Sequence, residues 1–275
     1  MMNYAICNET FGDWPLEQAL QFAARCGYRG WEVAPFMLGE NWPTEFAAQQ
    51  RADYRGLVES AGLSVIGLHW LLAKTEGFHL TTLQRETRQR TANYFRLLAE
   101  LCRDLGGEVM VLGSPGQRNL DEGQTQQEGM ENAAEVLRDI VPTLNECGVR
   151  VALEPLGPEE GNFLNTADEA VQLQRMVGDP SVGLHLDVKA MSTETEPCES
   201  LIRRHADDLI HFHANDPNRQ GPGMGDVPFE PILQALRDIG YDGWVSVEVF
   251  DYSPGIEALV GQSIDNLQAA AITTG

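Results

Sequence analysis

Eight short apolar runs of strand character recur along the chain: MNYAIC, GWEVAP, LSVIGLHWL, EVMVLGS, RVALEPL, VGLHLDV, LIHFHAN and GWVSVEVF. Between them lie longer segments with apolar residues at three- and four-residue spacing, the mark of a helix with one buried face. PLEQALQFAARCG, the stretch 47–62, NYFRLLAELCRDLGG and ENAAEVLRDIVPTLNECG show this spacing, and a last helix is expected over 255–271. Asp13, ahead of Trp14-Pro15, reads as a capping acid near a helix start. Gly27, Gly62, Gly106, Gly148 and Gly240 supply the left-handed residue at which a helix stops. Such alternation, with no break in composition, restricts the chain to parallel α/β architectures. An open doubly wound sheet would want a glycine-rich phosphate loop after the first strand, and CNETFGDWP contains no G-x-G-x-x-G. Eight units in a row instead close a (β/α)8 TIM barrel, and 275 residues with 43% apolar content suit one such domain over 1–275.

Charge excludes whole classes of partner. Binding a phosphate backbone takes many Lys and Arg, whereas 41 acidic residues face 19 basic ones here, a net charge of −22 with no basic run. Nucleic acid and anionic membrane surfaces are therefore not expected partners; a small molecule and other copies of the chain are. The sequence has no 18-residue apolar run to span a membrane. MMNYAICNETF lacks the basic region and apolar block of a secretory signal and reads as the first strand. Cys7, Cys26, Cys102, Cys147 and Cys198 are scattered, odd in number and free of any C-x-x-C pair. Reduced thiols in a cytoplasmic protein are the expectation.

In such a barrel the chemistry gathers where the strands end. The fifth run ends in Leu153-Glu154-Pro155, the sixth in His185-Leu186-Asp187, the seventh in His211-Phe212-His213 and the eighth in Val247-Glu248-Val249. Three acids and a histidine on four consecutive strands would repel one another if left empty, because buried carboxylates are costly unless paired or metal-bound. A divalent cation resolves that repulsion. One imidazole nitrogen with three carboxylates is a mostly hard set, suited to Mn²⁺ or Mg²⁺, with Co²⁺ or Zn²⁺ as alternatives. His211 and His213 are two apart in a strand and so share a face.

With these residues in place, the whole chain resembles the xylose isomerase-like barrels of the sugar phosphate isomerase/epimerase superfamily, the ketose 3-epimerases in particular. The resemblance implies one divalent ion, Mn²⁺ first, held by Glu154, Asp187, His213 and Glu248, and leaves His211 either as a structural histidine of the barrel interior or as a deeper group that orients others. It also implies substrate contacts from Glu160, six residues after Glu154, and from Arg219, six residues after His213, ahead of the loop GPGMGDVPFEPI. One position departs: where the epimerases carry a substrate-contacting histidine in a pattern like LDxxHM, this chain reads LDVKAM, with Ala190 there and Lys189 beside it.

Further rim residues follow from strand ends. Glu32 either bonds a sugar hydroxyl or pairs with a neighbouring base; His69 is expected to touch substrate or metal; Trp14 and Trp70 offer faces for a sugar ring to stack on. Lys189 either holds an anionic group, replaces the missing histidine's contact or is a solvated loop lysine. The expected activity is metal-dependent isomerisation or epimerisation of a ketose, aldose or derivatised sugar through an enediolate, with Glu154 and Glu248 exchanging protons. The alternative is a metal-dependent lyase or dehydratase acting on a keto-sugar or keto-inositol.

Overall fold

Alternating apolar runs become parallel strands, and the amphipathic stretches between them become the helices that cover the sheet. The computed structural model of the protein describes residues 2–39, 42 and 46–273; Met1 and residues 274–275, the ends of the expected 1–275 span, lie outside the described residues. In chain order the regular elements are β1 (Asn3–Cys7), α1 (Leu16–Cys26), β2 (Gly30–Val33), α2 (Ala48–Ser60), β3 (Ser64–Leu68), α3 (Arg85–Leu105) and β4 (Val109–Leu112). Then come α4 (Gln126–Cys147), β5 (Arg150–Leu153), α5 (Ala167–Val177), β6 (Val182–Asp187), α6 (Val188–Met191) and α7 (Cys198–Arg204). The chain closes with β7 (Leu209–Ala214), α8 (Phe229–Asp238), β8 (Trp244–Val247) and α9 (Ile256–Thr273). The eight strands pair in sequence order, and β1 pairs with β8, so the sheet is a closed parallel barrel as expected.

Strand alternation divides the side chains into two layers. Met110, Leu112, Val151, Leu153, Leu184, Leu186 and Phe212 belong to the core shared with the helices, while Val109, Val111 and Ala152 form a separate small cluster. Glycine is required at Gly67 on β3, where a methyl carbon would stand 2.3 Å from the carbonyl oxygen of Val109 on β4. Among the described residues no helix is long and apolar enough to cross a membrane.

Helix ends mostly follow their local chemistry. Gly27, Gly106 and Gly148 cap α1, α3 and α4 in the left-handed region. Thr125 and Thr166 open α4 and α5 by accepting from the amides of Glu128 and Glu169. The expected cap at Asp13 is corrected: α1 begins at Leu16 with Pro15 at its N-cap and no side-chain cap. The first helical bond runs from Ala19 N to the Pro15 carbonyl, while Trp14 N bonds back to Phe11. Asp13 therefore belongs to the preceding turn, upstream of the one position whose side chain reaches the helix's free amides.

Candidate active site

The strand ends bring three acids and three histidines to one part of the barrel. Asp187 ends β6, Glu154 follows β5 by one residue, and Glu248 follows β8 by one. The β6–β7 register sets His185 beside His211 and Asp187 beside His213. All of these side chains are buried. One ligand atom each from Glu154, His185, Asp187 and His213 can be chosen so that all four lie within 4.8 Å of one another.

Each group is held from several sides. Asp187 Oδ1 accepts from the amide of Ala190 at 2.8 Å, capping α6, and Oδ2 accepts from Asn215 Nδ2 at 2.5 Å. His213 Nδ1 faces Glu248 Oε2 at 3.0 Å, and its Nε2 faces both oxygens of Glu32 at 3.2 Å. Glu248 Oε1 accepts from Trp70 Nε1 at 2.6 Å. Trp70 takes a left-handed backbone (φ 51°), an uncommon state for a bulky residue, and its indole stacks on Phe250. Gly113, after β4, leaves room for Glu154: a methyl carbon there would stand 1.5 Å from Glu154 Oε2.

Crowding of like charges dominates the electrostatics. Burial, then Glu248 and Asp187, push the Glu154 carboxyl well above the usual carboxylate range. Burial and Glu248 push Asp187 up to about 6. At Glu248 burial also acts upward, but the imidazoles of His213 and His69 together outweigh it and the carboxyl lies below the usual range. His213 rises well above an ordinary histidine, because Glu32 and Glu248 overcome the opposing effect of burial. Both ring nitrogens of the fully buried His185 lack a hydrogen-bond partner, and its Nε2 lies 3.9 Å from Glu154 Oε1. Repelling carboxylates beside an unpartnered imidazole fit a divalent cation: oxygen donors with one or two nitrogens suit Mn²⁺, Co²⁺ or Zn²⁺. Glu248 falls outside that group of four. It belongs with Cys7, Glu9 and His69 to a second one, and its link to the first is the bond to His213.

Glu154 and Glu248 both line one cavity of about 290 Å³, walled also by Trp70, Leu156, Glu160 and Phe250. Glu160 accepts from Lys189 Nζ at 2.6 Å, and that ammonium lies 5.0 Å from the centre of the Phe250 ring. These two expected substrate contacts thus pair with each other beside the cavity. Arg219 is exposed, and its guanidinium makes no hydrogen bond or ion pair among the described residues; its carbonyl accepts from the amides of Phe250 and Asp251. In the loop 221–225 the amides of Gly223 and Gly225 both donate to Asp216 Oδ2 at 3.1 Å.

Three expected contacts stand elsewhere. Glu32 is fully buried and pairs with His211 and His213, the second of its two anticipated roles. His69 bonds Glu9 Oε2 at 2.6 Å through Nε2 and does not line the cavity. Trp14 packs against Phe11 and Phe22, also away from it. The sequence reading missed Arg118, whose buried guanidinium donates to the carbonyls of Leu112 and Glu154 and so pins the backbone beneath the latter carboxylate. Nothing in the GQRNLDEG segment marks that arginine as buried.

The family model described as the xylose isomerase-like TIM barrel matches residues 20–270. The chain belongs to that family. It is 39% identical to the D-psicose 3-epimerase of Enterocloster bolteae over 114 residues, 42% of this chain and 38% of that protein. Matches to three such D-psicose 3-epimerases span only 38% to 41% of their lengths. Among solved structures, an L-ribulose 3-epimerase superposes with a TM-score of 0.84 at 20% identity, covering 100% of this chain and 96% of the other. A 3-keto-D-glucoside 4-epimerase from Escherichia coli gives 0.82 at 18% identity, covering 99% and 100%. At those identities the likeness is one of fold.

Proposed function

We propose that the protein is a divalent-metal-dependent epimerase or isomerase of a small sugar, in which Glu154 and Glu248 move protons on the carbon next to the substrate carbonyl. The observation that carries this reading is that these two glutamates, from β5 and β8, line the same cavity within a family whose named relatives above are epimerases. Glu154, Asp187 and His213 would hold the ion, Glu248 would join them through its contact with His213, and His185 stands close enough to Glu154 to contribute. When bound, the ion supplies a Lewis acid for the carbonyl and neighbouring hydroxyl oxygens. One glutamate takes the proton α to the carbonyl, leaving an enediolate; the other returns a proton to the opposite face, which inverts the centre. Trp70 keeps Glu248 aimed at the cavity, and Asn215 with the Ala190 amide keeps Asp187 in place.

Ala190 leaves the pocket without the histidine of the ketose 3-epimerase pattern, while Lys189 and Glu160 set a charged pair beside the Phe250 ring. A site that loses one hydroxyl contact and gains another redirects its choice of substrate. The substrate is accordingly a larger or differently substituted sugar than a free ketohexose. The test is turnover of ketoses, aldoses, their phosphates and keto-glycosides, with Mn²⁺, Co²⁺ or Mg²⁺ added to chelator-treated protein. Metal-restored conversion of at least one is expected; conversion indifferent to chelation, or none across the panel, contradicts the reading.

A further inference from the structure

Glu32 lies on β2, across the barrel from β7, and is 0% exposed. Both of its oxygens face His213 Nε2 at 3.2 Å, and Oε2 also faces His211 Nε2 at 3.1 Å. An ionised carboxylate only accepts hydrogen bonds, so an imidazole nitrogen that bonds it carries the proton. His213 Nε2 is thereby committed to Glu32, which leaves Nδ1, the atom that faces Glu248 at 3.0 Å, as the nitrogen that can give up its proton to an ion. His211, two residues earlier on the same strand, shares Oε2 of that carboxylate with His213 and so holds Glu32 from a second direction.

The geometry points to Glu32 as a positioning residue that holds His213 with Nδ1 toward the metal, anchored in turn by His211. This rests on the reading of His213 as a ligand. A carboxylate behind a ligating histidine fixes the ring and raises its donor strength, and losing one costs ~10–100-fold in metal affinity. The pair of histidines in LIHFHAND thus has a division of labour: one binds, and the other braces the group that orients it.

Titration of chelator-treated protein with Co²⁺ alone, by calorimetry and by the visible absorption of the bound ion, tests this without any substrate. Wild type is expected to bind, His213→Ala to lose binding, and Glu32→Gln to bind about 10–100-fold more weakly with an altered Co²⁺ spectrum. The metal-free melting temperature of Glu32→Gln should stay close to that of wild type. Affinity within threefold of wild type in folded Glu32→Gln, while His213→Ala has lost binding, overturns the inference. If instead His213→Ala binds as tightly as wild type, the ligand reading itself falls and takes this inference with it. His211→Leu keeps the test decisive where Glu32→Gln does not fold: removing the brace should weaken Co²⁺ at least threefold, and unchanged affinity overturns the arrangement.

Discussion

Replacing Gly113 by alanine separates the fold from the chemistry. The added methyl carbon would lie 1.5 Å from Glu154 Oε2 and 2.7 Å from its Cδ, whereas ordinary contact begins at 3.4 Å. The carboxylate oxygen must therefore retreat by the difference, about 1.9 Å. Gly113 is not among the glycines with positive φ, so its backbone accepts alanine without strain. Stability should hold or rise by ~0.4–1 kcal/mol, because the unfolded chain loses freedom and the obstacle is the movable end of one side chain. Activity should not hold: a displacement of about 1 Å in a reacting group costs ~100-fold, roughly 2.7 kcal/mol at 1.36 kcal/mol per tenfold. The assay is kcat/KM at saturating metal on the substrate that wild type turns over, with a thermal melt of each protein. A folded Gly113→Ala variant with kcat/KM within threefold of wild type would refute the claim that Glu154 must occupy this position.

Glu154→Gln and Glu248→Gln should each fold yet lose turnover, since an amide keeps the shape but takes up no proton at neutral pH; near-normal kcat in either removes that residue from the proton transfers. On D-fructose, D-tagatose and D-psicose with Mn²⁺ or Co²⁺, kcat/KM should fall below ~10⁴ M⁻¹s⁻¹, and values above it mean that Ala190 costs nothing. Asp187 bears on pH: its carboxyl is pushed up to about 6, so in metal-free protein it destabilises the fold once ionised, not at all below about pH 4 and fully above about pH 6. Asp187→Asn, which cannot ionise, should therefore gain up to ~3 kcal/mol on wild type between pH 4 and pH 7 in urea melts with chelator; a pH-independent difference contradicts this.

The barrel was legible because its signals are local: alternating strands, amphipathic stretches and glycine stops such as Gly106 each read within a dozen residues. Glu154, Asp187 and Glu248 were legible for the same reason, as acids at or one past a strand end. Partnerships across the barrel were not. Glu32 meets His211 and His213 about 180 residues along the chain, at a level set by how the strands are staggered around the closed sheet. Lys189 and Glu160 were both singled out, yet their pairing depends on how the loops after β5 and β6 fold toward each other. Arg118, exposed by every sequence habit of arginine, is buried because the carbonyls of Leu112, Glu154 and Leu164 converge on it. Trp14, read as a stacking face, has ring contacts with Phe11 and Phe22, neighbours that its own sequence position does not announce.

The central claim is that Glu154 and Glu248 exchange a proton α to a sugar carbonyl when a divalent ion is bound. Incubation in D₂O with a panel of ketoses and keto-glycosides, followed by proton NMR at the carbon next to the carbonyl, reads that step directly. Loss of that proton signal should occur with Mn²⁺ added, stop on chelation, and stop in Glu154→Gln and Glu248→Gln. Retention of the signal in every sugar tested with metal present, or equal exchange in both glutamine variants, would contradict the account.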